Sequence, residues 1–294
     1  MTAHRDVLTE LLALLRLERI EERIFRGQSQ DLGWGAVFGG QVLGQALSAA
    51  AQTVPVERHV HSLHAYFLRQ GDARFPIVYE VDPIRDGASF TTRRVVAIQG
   101  GHPIFILSSS FQVDEAGFDH AALAPVDVPP PEGLLSEQEL AQRVEEEIPE
   151  PLRARAIGDR PIEIRAVTQW NLLRPKKMPG RRQLWYRAAG RLPDDPAVHR
   201  YLLAYASDFN FLPTAMMPHG VSWLTPGMQV ASLDHAMWFH RPFRFDEWLL
   251  YEVESPSASG ARGLVQGRFF ARDGTLVASV VQEGLIRNRQ VGIP

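Results

Sequence analysis

A chain of 294 residues, 45% of them apolar, can build one large domain or two ordinary ones with real cores. A net charge of −3 argues against a general nucleic-acid binder, while leaving room for a local basic site. The absence of cysteine excludes disulfides, thiolate metal sites and a cysteine nucleophile.

Residues 5–20 are predicted to form a helix with Leu8, Leu11, Leu12 and Leu15 on one face. Charges interrupt this stretch every few residues, so it reads as neither a signal peptide nor a membrane span. At the other end, residues 291–294 carry no retention or peroxisomal address, and the expected setting is the cytoplasm.

A first strand is predicted at 22–28, then a small-residue helix at 39–53 with Val42, Ala46 and Ala49 in register. Gly40 and Gly44 lie four apart, which predicts that a sheet approaches that helix face closely. Neither a dinucleotide fingerprint nor a P-loop is present, so the glycines read as packing positions. Strands follow at 59–68, 76–82, 89–99 and 104–112, with Gly100-Gly101 as a turn. One long helix against a curved antiparallel sheet is an α+β layer.

Residues 113–160 break the pattern with three consecutive prolines, a short helical piece and two further prolines, and read as a partly mobile link. Beyond it, strands are predicted at 162–167 and 183–189. A helix follows from Asp195 as N-cap and Pro196 to about residue 211. The last strands are predicted at 228–239, 247–254, 263–271 and 275–287, with Asp273-Gly274 turning the final hairpin.

The chain also resembles itself. HSLHAYFLR at 61–69 is echoed by SLDHAMWFHR at 232–241, and the following strands VYEV and LYEV match as well. An offset of about 171–172 residues carries the similarity over roughly 50 positions, which indicates a duplicated unit rather than a solenoid.

Several chemistries are weighed on the residues themselves. His59, His61 and His64 do not share one strand face and lack an evident fourth ligand, so they read as ordinary strand histidines. No Gly-x-Ser-x-Gly elbow occurs, and Asp234 and His235 diverge as strand neighbours, which disfavours a serine hydrolase. The basic run 174–182 reads as a solvated loop, with contact to substrate phosphates as the alternative. Asp208, in a mostly apolar helix, needs a partner, and both a structural and a chemical role are open to it.

Taken together, the motifs resemble the acyl-CoA thioesterase II family, whose chain is two fused hotdog domains. The matching segments are LERIEERIFRGQSQDLG, VFGGQVLGQAL, HSLHAYFLRQGD, RDGASFTTRRV and PIFILSSSFQ in the first half. The second half offers YLLAYASDFNFLP, PHG, SLDHAMWFHRPF, EWLLYEVES, GARGLVQGRFF and VQEG, all in family order.

The resemblance implies an α+β fold of two hotdog domains, 1–115 and 161–294, each a long helix wrapped by a curved antiparallel sheet. A link at 116–160 would join them, and the second domain would carry the site. It implies hydrolysis of fatty acyl-CoA to fatty acid and CoA, with Asp208, Ser232 and Gln282 as the catalytic set. Ser232 stands where the family also uses Thr, and the hydroxyl is kept. In that scheme Asp208 accepts a proton from water while Ser232 and Gln282 hold the water. A backbone N–H near Gly39-Gly40 is the expected donor to the carbonyl. No cofactor and no metal are implied; the partner is the acyl-CoA substrate, with no nucleic acid and no membrane span, in a homo-oligomer (dimer or tetramer). The alternative is a non-catalytic acyl-CoA-binding or regulatory protein on the same fold. The offset sets Ser110 opposite Gln282 and His61 opposite Ser232, so the first copy lacks the set.

Overall fold

The computed structural model of the chain describes residues 6–33 and 35–290. The residues read above for a C-terminal address, 291–294, lie outside the described residues, as does residue 5 of the first predicted helix.

The first helix, α1 (Val7–Leu15), is capped by Asp6, whose carboxylate takes the N–H groups of Leu8 and Thr9. It buries Leu8, Leu11 and Leu15 and stops there, five residues short of the predicted end. The following residues turn back as a hairpin, β1 (Glu18–Glu21) and β2 (Ile24–Gly27), instead of a single strand. The central helix of the first half is α2 (Gly39–Ala51), and β3 (Arg58–Phe67), β4 (Ile77–Asp86), β5 (Phe90–Gln99) and β6 (His102–Val113) follow it.

In the link lie two short helices, α3 (Glu137–Arg143) and α4 (Glu150–Ile157), the first opened by a Ser136–Glu139 capping box. The second half then has β7 (Ile162–Ala166), β8 (Arg181–Ala188), α5 (Pro196–Ser207), β9 (Met228–Ser232), β10 (Asp234–Phe239), β11 (Leu249–Ser259), β12 (Arg262–Ala271) and β13 (Leu276–Asn288). Asp195 caps α5 as predicted, accepting the N–H of Ala197 at 2.9 Å. The helix ends at Ser207, so Asp208 is its C-cap and not an interior residue.

The duplication is visible in the sheet. Strand order runs β1-β2-β4-β5-β6-β3-β10-β13-β12-β11-β8-β7, and the second six mirror the first six about the middle. The two echoing motifs meet there: β3 and β10 pair antiparallel, with Ala236 opposite His64 and His235 opposite Ala65. This corrects one expectation. The two halves do not each wrap a curved sheet around a helix. Their strands join edge to edge into one open sheet that is neither curled nor closed, because the β3–β10 ladder satisfies edges that would otherwise stay exposed.

The helices pack on one another. A Cβ on Gly40 would strike the Tyr205 carbonyl oxygen, and one on Gly44 would sit 3.1 Å from the Tyr201 carbonyl oxygen. The two contacts run in opposite chain directions, so α2 and α5 cross antiparallel at glycine distance. The partner those glycines admit is a helix, not the predicted sheet. Burial of Val42, Leu43, Ala46, Leu47, Leu202 and Leu203 makes this crossing part of the main core. Among the described residues, no helix is long and apolar enough to cross a membrane.

Candidate active site

The antiparallel crossing brings the C-cap of α5 to the first turn of α2. Asp208 stands there. Its carboxylate accepts the N–H of Gly40, and a Cβ on Gly39 would lie 2.7 Å from its Oδ2. Phe38, the N-cap of α2, offers no side-chain bond to the helix, so Asp208 supplies the negative end that α2 otherwise lacks. Phe38 also stacks on Phe209 at 4.3 Å and meets Tyr205 edge-on at 5.3 Å.

Ser232 arrives by a different device. Between β9 and β10 the register against β13 slips by one residue: Ser232 faces Gly284, whereas Ala236 faces Val281. Such a bulge re-aims side chains. Asp234 stabilises it by accepting the Glu283 N–H at 2.6 Å. The first copy carries the same defect at His61, where the β3–β6 register shifts between Val60 and Ser62. Strand parity therefore does not hold across His61, and the face assignment made from the sequence fails there.

Gln282, on β13, is wholly buried and completes the group. Its amide nitrogen donates to Asp208 Oδ1 at 3.2 Å and to Ser232 Oγ. Three residues drawn from positions 208, 232 and 282 thus share one hydrogen-bonded cluster. In the first copy the matching positions form a different contact, His61 Nε2 to Ser110 Oγ at 2.9 Å.

Burial pushes the Asp208 carboxyl up to about 6, and the bonds from Gln282 and Gly40 pull against that rise. A carboxyl poised there is ionised at neutral pH yet basic enough to take a proton, which suits a general base. Two further residues belong to this cluster: Ser207, which the sequence did not single out, and His235, which it weighed only as a partner of Asp234. His235 and Ser207 are wholly buried, with His235 Nε2 3.0 Å from Ser207 Oγ. Both sat in motifs quoted above, but strand and helix patterns alone gave no sign that they touch.

The basic run has another environment. Met178 N–H bonds to the Met217 carbonyl, Arg174 pairs with Glu147, and Arg181 lies 3.7 Å from Glu254.

Comparison with known proteins now decides the family. The acyl-CoA thioesterase profile matches residues 151–285, and that of the acyl-CoA thioesterase N-terminal domain matches residues 29–112. An acyl-CoA thioesterase 2 from Haemophilus influenzae is 46% identical over 282 residues, covering 96% of this chain and 98% of that protein. The chain belongs to the double-hotdog acyl-CoA thioesterase family. Within this family, human acyl-coenzyme A thioesterase 8 is 43% identical, across 93% of this chain and 88% of its own. The crystal structure of an acyl-CoA thioesterase II from Mycobacterium marinum superposes with a TM-score of 0.78 at 41% identity, covering 97% of this chain and all of that one.

Proposed function

We propose that this acyl-CoA thioesterase hydrolyses fatty acyl-CoA by direct attack of a water molecule that Asp208 deprotonates and that Ser232 and Gln282 hold. The supporting observation is the convergence of the three side chains on a carboxylate raised to about 6. The water gives a proton to Asp208 as its oxygen bonds to the acyl carbon. Collapse of the tetrahedral adduct breaks the C–S bond, and the proton on Asp208 passes to the departing sulfur. The products are a free acid and CoA. No acyl group is ever bonded to the chain in this scheme.

Release of free thiol from an acyl-CoA, followed with a thiol reagent, tests the reading. Binding of acyl-CoA with no thiol released would instead identify a non-catalytic binding protein. The assigned units are 1–115 and 161–294, joined by 116–160, with the chemistry in the second.

Ser232 contributes a hydroxyl that accepts from Gln282 and keeps its own proton for water. Ser232→Thr is expected to keep kcat within about threefold, whereas Ser232→Ala should lose about tenfold or more. Steady-state kinetics on the two variants decide it; equal damage from both would remove the water-holding role.

We further propose that the protein works in the cytoplasm as a homo-oligomer, a dimer or tetramer. Exposed Tyr66, Leu68 and Phe75, and Phe118 and Leu123 in the link, support association. Light scattering at micromolar concentration should give at least a dimer, and a monomer would contradict this.

A further inference from the structure

Beneath the cluster lies a buried imidazole that the mechanism above does not use. Ala236 pairs with Val281, so His235 and Gln282 are the next residues along on β10 and β13, and both are wholly buried. Cross-strand neighbours of this kind place their Cβ atoms roughly 4.5–5.5 Å apart, within side-chain reach. Each carries one buried polar atom with no hydrogen-bond partner: Nδ1 of His235 and Oε1 of Gln282. Leaving two such atoms unpaired side by side is costly, and a bond between them removes both penalties.

We propose that His235 is a positioning residue, donating Nδ1–H to Gln282 Oε1 and thereby fixing which end of the amide faces Asp208 and Ser232. The inference rests on the reading of Gln282 given above. Gln282 can enter the cluster in two orientations. With Nε2 forward it donates to Asp208 and Ser232. Turned over, it would aim its oxygen at the carboxylate and its NH2 at His235. A proton on Nδ1 excludes the turned form, since two donors would then meet. With that tautomer Nε2 is an acceptor, and the Ser207 hydroxyl 3.0 Å away turns its proton to it in place of the Ala204 carbonyl, which lies 2.9 Å from Ser207 Oγ. Burial holds the ring neutral by pushing its pKa down to about 4, while the Gln282 side chain works in the opposite direction. The ring therefore has one N–H to place, and placing it on Nδ1 gives the otherwise unpaired Gln282 Oε1 a donor.

His235→Leu should lower kcat about tenfold with KM nearly unchanged, because the loss falls on orientation in the transition state. His235→Asn, close to leucine in shape but with an amide N–H at the δ position, should recover kcat to within about threefold of wild type. In a Gln282→Ala background, His235→Leu should cost less than about twofold more, since there is no amide left to orient. Nitrogen-15 NMR of histidine-labelled wild-type protein, which needs no folded variant at position 235, should show His235 as the Nδ1–H tautomer.

An Nε2–H tautomer, or an undiminished effect of His235→Leu in the Gln282→Ala background, would overturn the proposal and leave the Asp208 mechanism standing. A Gln282→Ala enzyme with wild-type kcat would remove the assigned role of Gln282, and this proposal with it.

Discussion

Asp208→Asn is expected to lower kcat by at least about a hundredfold, the usual scale for loss of a general base. The amide keeps the shape but cannot take a proton from water, so acyl-CoA affinity should survive. In the wild type, kcat/KM should rise with pH through about 6, where the Asp208 carboxyl titrates, and that acid limb should vanish from the residual activity of the variant. Stability should follow the same group. Folding lifts its pKa from 3.8 to about 6, so the folded state holds the proton more tightly than the unfolded chain does. The stability this contributes is full below 3.8 and is lost as pH rises through 6; by linkage it amounts to up to about 3 kcal/mol. Asn escapes that cost at pH 8, but its NH2 must face either the Gly40 N–H or the Gln282 amide, at about 1–3 kcal/mol. The two effects offset, so the variant should melt near the wild type at pH 8. As the pH falls from 7 to 4, the wild type should gain on it. Thermal melts across that range check the sign, and a variant that fell far behind at pH 8 would make Asp208 chiefly structural.

Gly40→Ala should be among the most damaging single changes to the fold. The new methyl would meet the Tyr205 carbonyl, a backbone atom that cannot swing aside, and the Phe38 ring. Relief requires α2 and α5 to separate, and overpacking of this kind costs about 3 kcal/mol or more, well above the roughly 0.5–1 kcal/mol that alanine gains in a helix. The melting temperature should fall by on the order of 10 °C. Gly39→Ala makes the contrast. Its methyl would lie 2.7 Å from Asp208 Oδ2 and 3.0 Å from the Phe67 ring, and both are side chains that can yield. That variant should stay folded and lose turnover instead. If Gly39→Ala and Gly40→Ala behaved alike in both melt and kcat, the division between a packing glycine and a site glycine would fail.

Gly40 and Gly44 also mark how far the sequence could be read. Their four-residue spacing announced a close approach, but spacing cannot say what approaches; the partner was α5 because its carbonyls, not a strand, fill the groove. The echo of HSLHAYFLR in SLDHAMWFHR revealed the duplication, since strand motifs repeat in type. It could not reveal that the copies pair with each other, because a ladder is made by backbone groups common to every residue. Asp208 stood out as a carboxyl in apolar company. Its position at the end of α5 did not, for Phe209 and Phe211 continue the apolar run past the true stop at Ser207. The bulges at His61 and beside Ser232 escaped as well, since one extra residue leaves no mark in an alternating pattern yet decides which side chains face inward.

In the proposed reaction water, not the carboxylate, attacks the thioester. Single-turnover hydrolysis of a fatty acyl-CoA in oxygen-18 water, with mass analysis of the released acid and of the peptide bearing Asp208, tests it directly. One heavy oxygen is expected in the acid and none in Asp208, with a matching release of free CoA. An unlabelled acid with the heavy oxygen in Asp208 would mean that the carboxylate itself had attacked, and would contradict it.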